Sequence, residues 1–199
     1  DSKIRNSVLE RLELLERHIR DMQDSIMSIR MVPMESIYSK FPKVVRDISK
    51  KLTKKVEFKH FGDNVEIDKA MIEGLTDPLM HIIRNSLDHG LEIPEDRINA
   101  GKDETGTITI SAEQANGQMI ITIEDDGEGY PGEILSKIGE PYLRSLKNKD
   151  KNQSGLGLGI FIGKNLLEKN FASLNCQNSK TRTGAEVNIR WKNQDLKKI

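Results

Sequence analysis

Asp125-Asp126-Gly127-Glu128-Gly129 brings carboxylates together with two closely spaced glycines, directly after the alternating apolar run 119–123. An alternating run is a strand, so the chain passes there from a strand into a backbone turn. Glycines open conformations closed to other residues and let a flat ligand lie against the main chain. Asp125 can accept a hydrogen bond from an amino group such as that of adenine. A second glycine stretch, Gly155-Leu156-Gly157-Leu158-Gly159, opens the helical pattern Ile160, Phe161, Ile162, Leu166, Leu167. Exposed N–H groups at such a helix start offer a place for a phosphate. Upstream, His81, Asn85 and Asp88 recur at helical spacing opposite Leu79, Ile82, Ile83 and Leu87, with His89 at the margin of that polar face.

Two other patterns fit less well. Gly127-Glu128-Gly129-Tyr130-Pro131-Gly132 satisfies G-x-G-x-x-G, but Pro131 and the glycine- and lysine-rich sequence after it do not open the helix that the dinucleotide fingerprint requires. Gly163-Lys164-Asn165 is not the end of a P-loop, because Leu158 stands where the first glycine would fall and Asn165 replaces the hydroxyl that would bind a metal.

These groups need elements to hold them. Val8, Leu12, Leu15, Ile19, Met22, Ile26 and Ile29 form a heptad seam on a long helix that calls for a partner, either a second chain or another helix of the same one. His18 beside that seam reads as a surface residue. Pro33 ends or kinks the helix, and Ile37, Phe41, Val44, Val45, Ile48 and Leu52 trace a second amphipathic helix starting near Ser36. The basic run 50–55 reads as its solvated, dipole-compensating end. A strand over 56–61, a turn at Gly62-Asp63-Asn64, an extended stretch over 65–68 and a helix through Met71 and Leu75 follow. Asp77-Pro78 has the form of a helix cap and first position, so a new helix is expected over 78–89, stopping at Gly90.

The charged stretch 91–102 reads as a surface loop and short helix, and 107–110 and 119–123 as strands joined by the hairpin signal Asn116-Gly117. A short helix over 132–138 is interrupted at Gly139-Glu140-Pro141-Tyr142. The lysine-rich segment up to Gly155, with Lys147, Lys149 and Lys151, reads as a mobile lid. A helix to about Asn170 and strands at 174–176 and 186–191, joined through Thr183-Gly184, complete a sheet in which Cys176 and Trp191 are packing residues.

The chain has 199 residues, long enough for one domain of moderate size with an attached element. Its 31 basic and 31 acidic residues balance, so no bulk field points to nucleic acid or an anionic membrane. A single cysteine, Cys176, leaves no internal disulfide framework and fits a reducing compartment. No apolar run approaches the roughly 20 residues of a membrane span, and the expectation is a cytoplasmic location.

The order of an asparagine-bearing helix followed by two glycine boxes resembles the GHKL ATPases, the group of gyrase, the heat-shock chaperones, mismatch-repair ATPases and histidine kinases, and within it the histidine kinases. Over 8–113 the likeness is to chemotaxis kinases of the CheA type, in the run Asp24-Ser25-Ile26-Met27-Ser28-Ile29-Arg30-Met31-Val32-Pro33 and in 81–90 with Pro94-Glu95 and Gly101-Lys102 behind it. From Asp125 onward it is to redox-responding sensor kinases of the RegB/PrrB type, in Ile138-Gly139-Glu140-Pro141-Tyr142, the run 155–162 and the stretch 178–191. The chain therefore reads as a hybrid, joined between about Ser111 and Asp125.

The resemblance implies an α+β fold, a two-layer sandwich in which a mixed sheet is covered by helices. Residues 1–33 would be a dimerisation-type helix and 34–199 the ATP-binding domain. Asn85 would coordinate Mg²⁺, for which a neutral amide oxygen shared with phosphates and water is a suitable ligand. Asp125 would read the adenine amino group, Gly127 and Gly129 would shape the adenine side, and Gly155, Leu156, Gly157, Leu158 and Gly159 the phosphate side. His81 would assist the attack of an acceptor histidine, and His89 would contact the nucleotide. The implied activity is transfer of the ATP γ-phosphoryl group to a histidine on a separate phosphoacceptor domain, with a response regulator downstream, an adaptor or receptor as further partner, and a weak homodimer through the first helix. A nucleotide-binding scaffold and an ATP-driven clamp are the competing readings.

Overall fold

The computed structural model describes residues 2–135, 156–169, 171–180 and 183–192. In chain order its elements are α1 (Ser2–Arg30), β1 (Met31–Pro33), α2 (Glu35–Tyr38), α3 (Phe41–Lys51), β2 (Lys55–Phe61), β3 (Glu66–Asp68), α4 (Lys69–Asn85), a π-helical turn (Ser86–Gly90), α5 (Pro94–Asn99), β4 (Thr105–Ala115), β5 (Gln118–Asp125), α6 (Gly132–Leu135), α7 (Leu156–Lys169), β6 (Ser173–Asn178) and β7 (Ala185–Lys192).

Five strands form one sheet in the order β2-β4-β5-β7-β6. Its β2–β4 pair is parallel and the other pairs are antiparallel. Alternation does what the sequence pattern demands. Ile108, Ile110 and Ala112 of β4, Met119, Ile121 and Ile123 of β5, and Val187, Ile189 and Trp191 of β7 turn to one buried face. They share one core with Phe41 and Val45 of α3, Leu79, Ile82 and Ile83 of α4, and Leu167 of α7. Each such side chain contributes about 1.5–3 kcal/mol on leaving water. The result is the expected two-layer α+β sandwich. Asn116 and Gly117 turn the β4–β5 hairpin with φ of 52° and 69°, as a two-residue loop between twisted strands requires.

Four expectations are corrected. Met31–Pro33 is a strand paired antiparallel with Glu66–Asp68, so α1 stops at Arg30, before Pro33 is reached. The second amphipathic helix is divided: Ser39 and Lys40 lie between α2 and α3, and Pro42 sits in the first turn of α3. The pair Asp77-Pro78 starts no helix. α4 runs unbroken through Pro78, and its cap is Asp68, whose Oδ1 accepts the N–H of Ala70 at 2.8 Å. A proline in mid-helix forfeits one backbone hydrogen bond, but Met71, Leu75, Leu79, Ile82 and Ile83 lie on one continuous face, and burying that face outweighs the local signal. Finally, regular helix ends at Asn85 rather than near His89, and Ser86–Gly90 continues as a π turn closed by the Leu91 N–H on the Ser86 carbonyl at 2.8 Å.

The expected extension of α6 beyond Leu135, the lid and its lysines lie outside the described residues. α1 stands with Val8, Leu12, Leu15, Ile19, Met22, Ile26 and Ile29 all exposed. Among the described residues no helix is long and apolar enough to cross a membrane.

Candidate functional site

Asp125 ends β5 in the same inward register as Met119, Ile121 and Ile123, so the alternation of the strand carries a carboxylate into the core, where it is 2% exposed. Its Oδ1 accepts the N–H of Gly127 and of Ala185, each at 3.2 Å, and the Ser86 side chain donates to the same carboxylate. Burial raises its pKa above 3.8, and the neighbouring Asp126 adds to the rise, while the bonds from Ser86, Ala185 and Gly127 only partly offset it. A carboxylate held this way is a strong acceptor for any amino group brought to it.

The wall facing it is the end of the π turn that follows α4. A side chain at Gly127 would put its Cβ 2.0 Å from the Gly90 carbonyl oxygen, and one at Gly90 would come within 2.7 Å of Asp125 Oδ2. Backbone therefore meets backbone there: Gly90 packs directly on the 125–127 turn, with no room for a Cβ on either glycine. The π turn is what presents Gly90. An i→i+5 bond spreads the last turn over an extra residue and re-aims everything after it. Lys54 fixes that turn from the other side, its Nζ donating to the carbonyls of Leu87 at 2.6 Å and Asp88 at 3.1 Å. Burial holds the Lys54 pKa below its ordinary value, against the attraction of Asp88 and Glu92. So one member of the basic run 50–55 is tied to carbonyls at the end of another helix rather than left in solvent at its own.

Directly before the π turn, Asn85 carries a buried Nδ2 without a hydrogen-bond partner among the described residues. An unsatisfied buried amide is costly, and it is the kind of group that a bound ligand satisfies. His81 is half-buried a turn earlier on the same helix, while His89 is exposed on the π turn. α7 packs along α4. Its first turn consists of Leu156, Gly157, Leu158 and Gly159, whereas Gly155 lies outside the described residues.

Beyond Gly129, whose φ is 83°, the chain is pinned by Asn178 of β6. Asn178 Oδ1 accepts the Tyr130 N–H at 2.6 Å, and its Nδ2 donates to the Tyr130 carbonyl at 2.9 Å. The Tyr130 side chain is hydrogen-bonded to Cys176. Cys176 packs against the core, and burial pushes its thiol up to about 11.

The residues that sequence reasoning missed lie under the glycine turn. Arg97, 2% exposed, grips Asp126 with both Nη atoms at 3.1 Å, bonds Glu92 Oε2 at 2.9 Å and donates from Nε to the Asp103 carbonyl at 2.7 Å. Lys102 Nζ reaches Glu92 Oε1 at 2.6 Å and the carbonyls of Asp126 and Gly127 at 3.0 and 2.8 Å. Burial works to raise the Glu92 carboxyl, but the Lys102 hydrogen bond, Glu92's own backbone and the charges of Lys102 and Arg97 prevail, leaving it below the ordinary value. The segment 91–102 was expected to be a surface loop and helix. Its outer side is that, and its inner side is a four-membered charge network in which Arg97 is buried and Glu92, Lys102 and Asp126 are partly so.

Comparison with known proteins agrees with this geometry. The family described as "Histidine kinase-, DNA gyrase B-, and HSP90-like ATPase" matches residues 74–195. The chain is 46% identical to the chemotaxis protein CheA of Salmonella typhimurium, over 71% of this chain and 21% of that one. It is 34% identical to CheA of Bacillus subtilis, over 82% of this chain and 28% of that one. The chain thus spans less than a third of the length of these relatives, and the second match covers more of it than the residues before Asp125 can supply, so the likeness to CheA is not confined to the first part. Among solved structures, the histidine kinase domain of the blue-light activated histidine kinase EL346 from Erythrobacter litoralis superposes with a TM-score of 0.55 at 20% identity, covering 84% of this chain and 64% of that one. That likeness establishes the fold.

Proposed function

The chain belongs to the family of histidine kinase-, DNA gyrase B- and HSP90-like ATPases, and from that membership we propose that it is the ATP-binding catalytic module of a protein histidine kinase. The observation that carries this reading is the buried Asp125 carboxylate, fixed by the N–H groups of Gly127 and Ala185 and facing a wall of backbone at Gly90. A carboxylate fixed in that way is an acceptor for the amino group of an adenine laid against the glycine turn. Gly129 shapes the same side. The first turn of α7, with Gly155 before it, is assigned to the phosphates.

Asn85 is the residue assigned to Mg²⁺ through its Oδ1, together with phosphate and water oxygens, while its orphaned Nδ2 is a donor that a phosphate oxygen would satisfy. Mg²⁺ would supply charge neutralisation on the phosphates. His81, a turn away, is assigned to orienting the acceptor histidine, and His89 to the nucleotide. The fold's contribution to transfer is positioning: the base is held at the sheet, so that the terminal phosphoryl group projects toward an acceptor on a separate phosphoacceptor domain. A response regulator as the next acceptor, an adaptor or receptor as further partner, and a cytoplasmic setting belong to the same proposal.

The test is incubation with γ-labelled ATP, Mg²⁺ and a supplied phosphoacceptor-histidine domain, followed by analysis of acid-labile phosphate. Label on the acceptor histidine is the expected result. Binding without transfer would favour a nucleotide-binding scaffold, and sustained hydrolysis without an acceptor would favour a clamp.

A further inference from the structure

We infer that Arg97 and Lys102 are positioning residues for nucleotide recognition, holding the Asp125–Gly127 turn so that the Asp125 carboxylate is presented to the base amino group. The inference rests on the reading of Asp125 given above. Asp126 and Gly127 are engaged at every backbone polar group. The Asp126 N–H donates to the Thr107 carbonyl at 3.2 Å and the Gly127 N–H to Asp125 Oδ1 at 3.2 Å. The Asp126 carboxylate takes the Arg97 fork and the Thr107 N–H, and the carbonyls of Asp126 and Gly127 take Lys102. The Gly127 N–H reaches Asp125 only while the 126–127 peptide keeps its orientation, and that orientation is set from below by Lys102.

Charge has a second consequence. Asp126 is adjacent to Asp125 and opposes its ionisation. The Arg97 fork spreads the Asp126 charge into a bidentate pair, while Glu92 balances the second cation. The network is neutral as a whole, and it keeps Asp125 available as an acceptor. Neither Arg97 nor Lys102 need touch the nucleotide to do this.

The experiment compares ATP with the triphosphate of purine riboside, which lacks the 6-amino group, by calorimetric titration of the whole chain and of the variants Arg97→Lys and Lys102→Met, with thermal melts in parallel. Arg97→Lys keeps the charge and loses the fork. Lys102→Met removes the two carbonyl contacts from a side chain that is still 20% exposed, and so tolerates the change best. The unmodified chain should prefer ATP, and each variant should lose roughly tenfold of that preference, about one charged hydrogen bond. The pH below which ATP affinity falls should also rise in Arg97→Lys. Equal weakening of both nucleotides, or an unchanged preference, makes the network structural only and overturns the inference, as does failure of both variants to fold. An unmodified chain that binds both nucleotides alike overturns the adenine role of Asp125 itself, and this inference with it.

Discussion

Arg30, the last residue of α1, donates from Nη2 to Oδ1 of Asp68 at 2.9 Å, and the same oxygen accepts the Ala70 N–H that caps α4. One carboxylate thus joins the end of the long helix to the start of the helix that bears His81 and Asn85. Asp68→Ala should lower stability by about 1–2 kcal/mol, the usual worth of a lost helix cap. Arg30→Ala should cost less than about 1 kcal/mol, because the arginine side chain is 41% exposed and the pair is partly screened by solvent. Urea unfolding monitored by circular dichroism separates the two, and equal costs would show that the cap contributes nothing beyond the ion pair.

Asp125→Asn should trade binding for stability. A carboxyl whose pKa is raised in the folded state contributes stability that is complete below 3.8 and is lost as pH rises through the folded value. Asparagine carries no such loss, so the melting temperature of the variant relative to the parent should climb as pH rises above about 4. ATP affinity at neutral pH should fall by about tenfold or more, since a charged acceptor is exchanged for an amide. Melting curves from pH 4 to 7 and calorimetric titration at pH 7 check both halves.

Glu92 has the opposite sign. Its folded carboxyl lies below the ordinary value of 4.5, so its stabilising contribution is present above that pH and disappears as pH falls through the folded value. Glu92→Gln should therefore be less stable than the parent at neutral pH and should converge with it in acid. A stability gap that stays constant from pH 7 to pH 3 would remove Glu92 from the network's charge balance.

Cys176 should be slow to alkylate. A thiol raised from 9.0 to about 11 has about a hundredfold less thiolate at pH 8 than an ordinary cysteine. Iodoacetamide labelling followed by mass spectrometry should show that retardation in the folded chain and its disappearance in denaturant.

The exposed seam on α1 should seek cover from a second copy. Each of its apolar side chains gains about 1.5–3 kcal/mol on full burial, and a two-stranded coiled coil of this length sustains a weak dimer. Sedimentation velocity over a range of concentrations should reveal a monomer–dimer equilibrium that collapses to monomer when Leu15 and Met22 are replaced by Glu. A concentration-independent monomer for the parent chain would exclude it.

What the sequence disclosed and what it hid divide along physical lines. Asp125 was legible because period-two alternation places it on the buried face with Ile121 and Ile123, and the glycines after it announce a turn. The Asn116-Gly117 hairpin was legible because only a few residues accept positive φ. The start of α4 was misread because Asp77-Pro78 is a strong local signal, while the face running from Met71 to Ile83 that overrides it is a tertiary fact. Arg97 and Lys102 were hidden for a different reason. In a charged segment nothing local distinguishes a cation that meets water from one that meets Asp126, a partner brought close only by the β4–β5 hairpin.

β7 follows the other described strands in sequence yet lies between β5 and β6. A nascent chain emerging from the ribosome therefore has β5 finished while its neighbour is still unmade, leaving an apolar strand with an unpaired edge, the feature that invites association with other chains. Ala185, the first residue of β7, also supplies an N–H to Asp125. Closure of the sheet and completion of the carboxylate's surroundings are thus a single late event, and a chain released before Ala185 would be aggregation-prone and blind to nucleotide together.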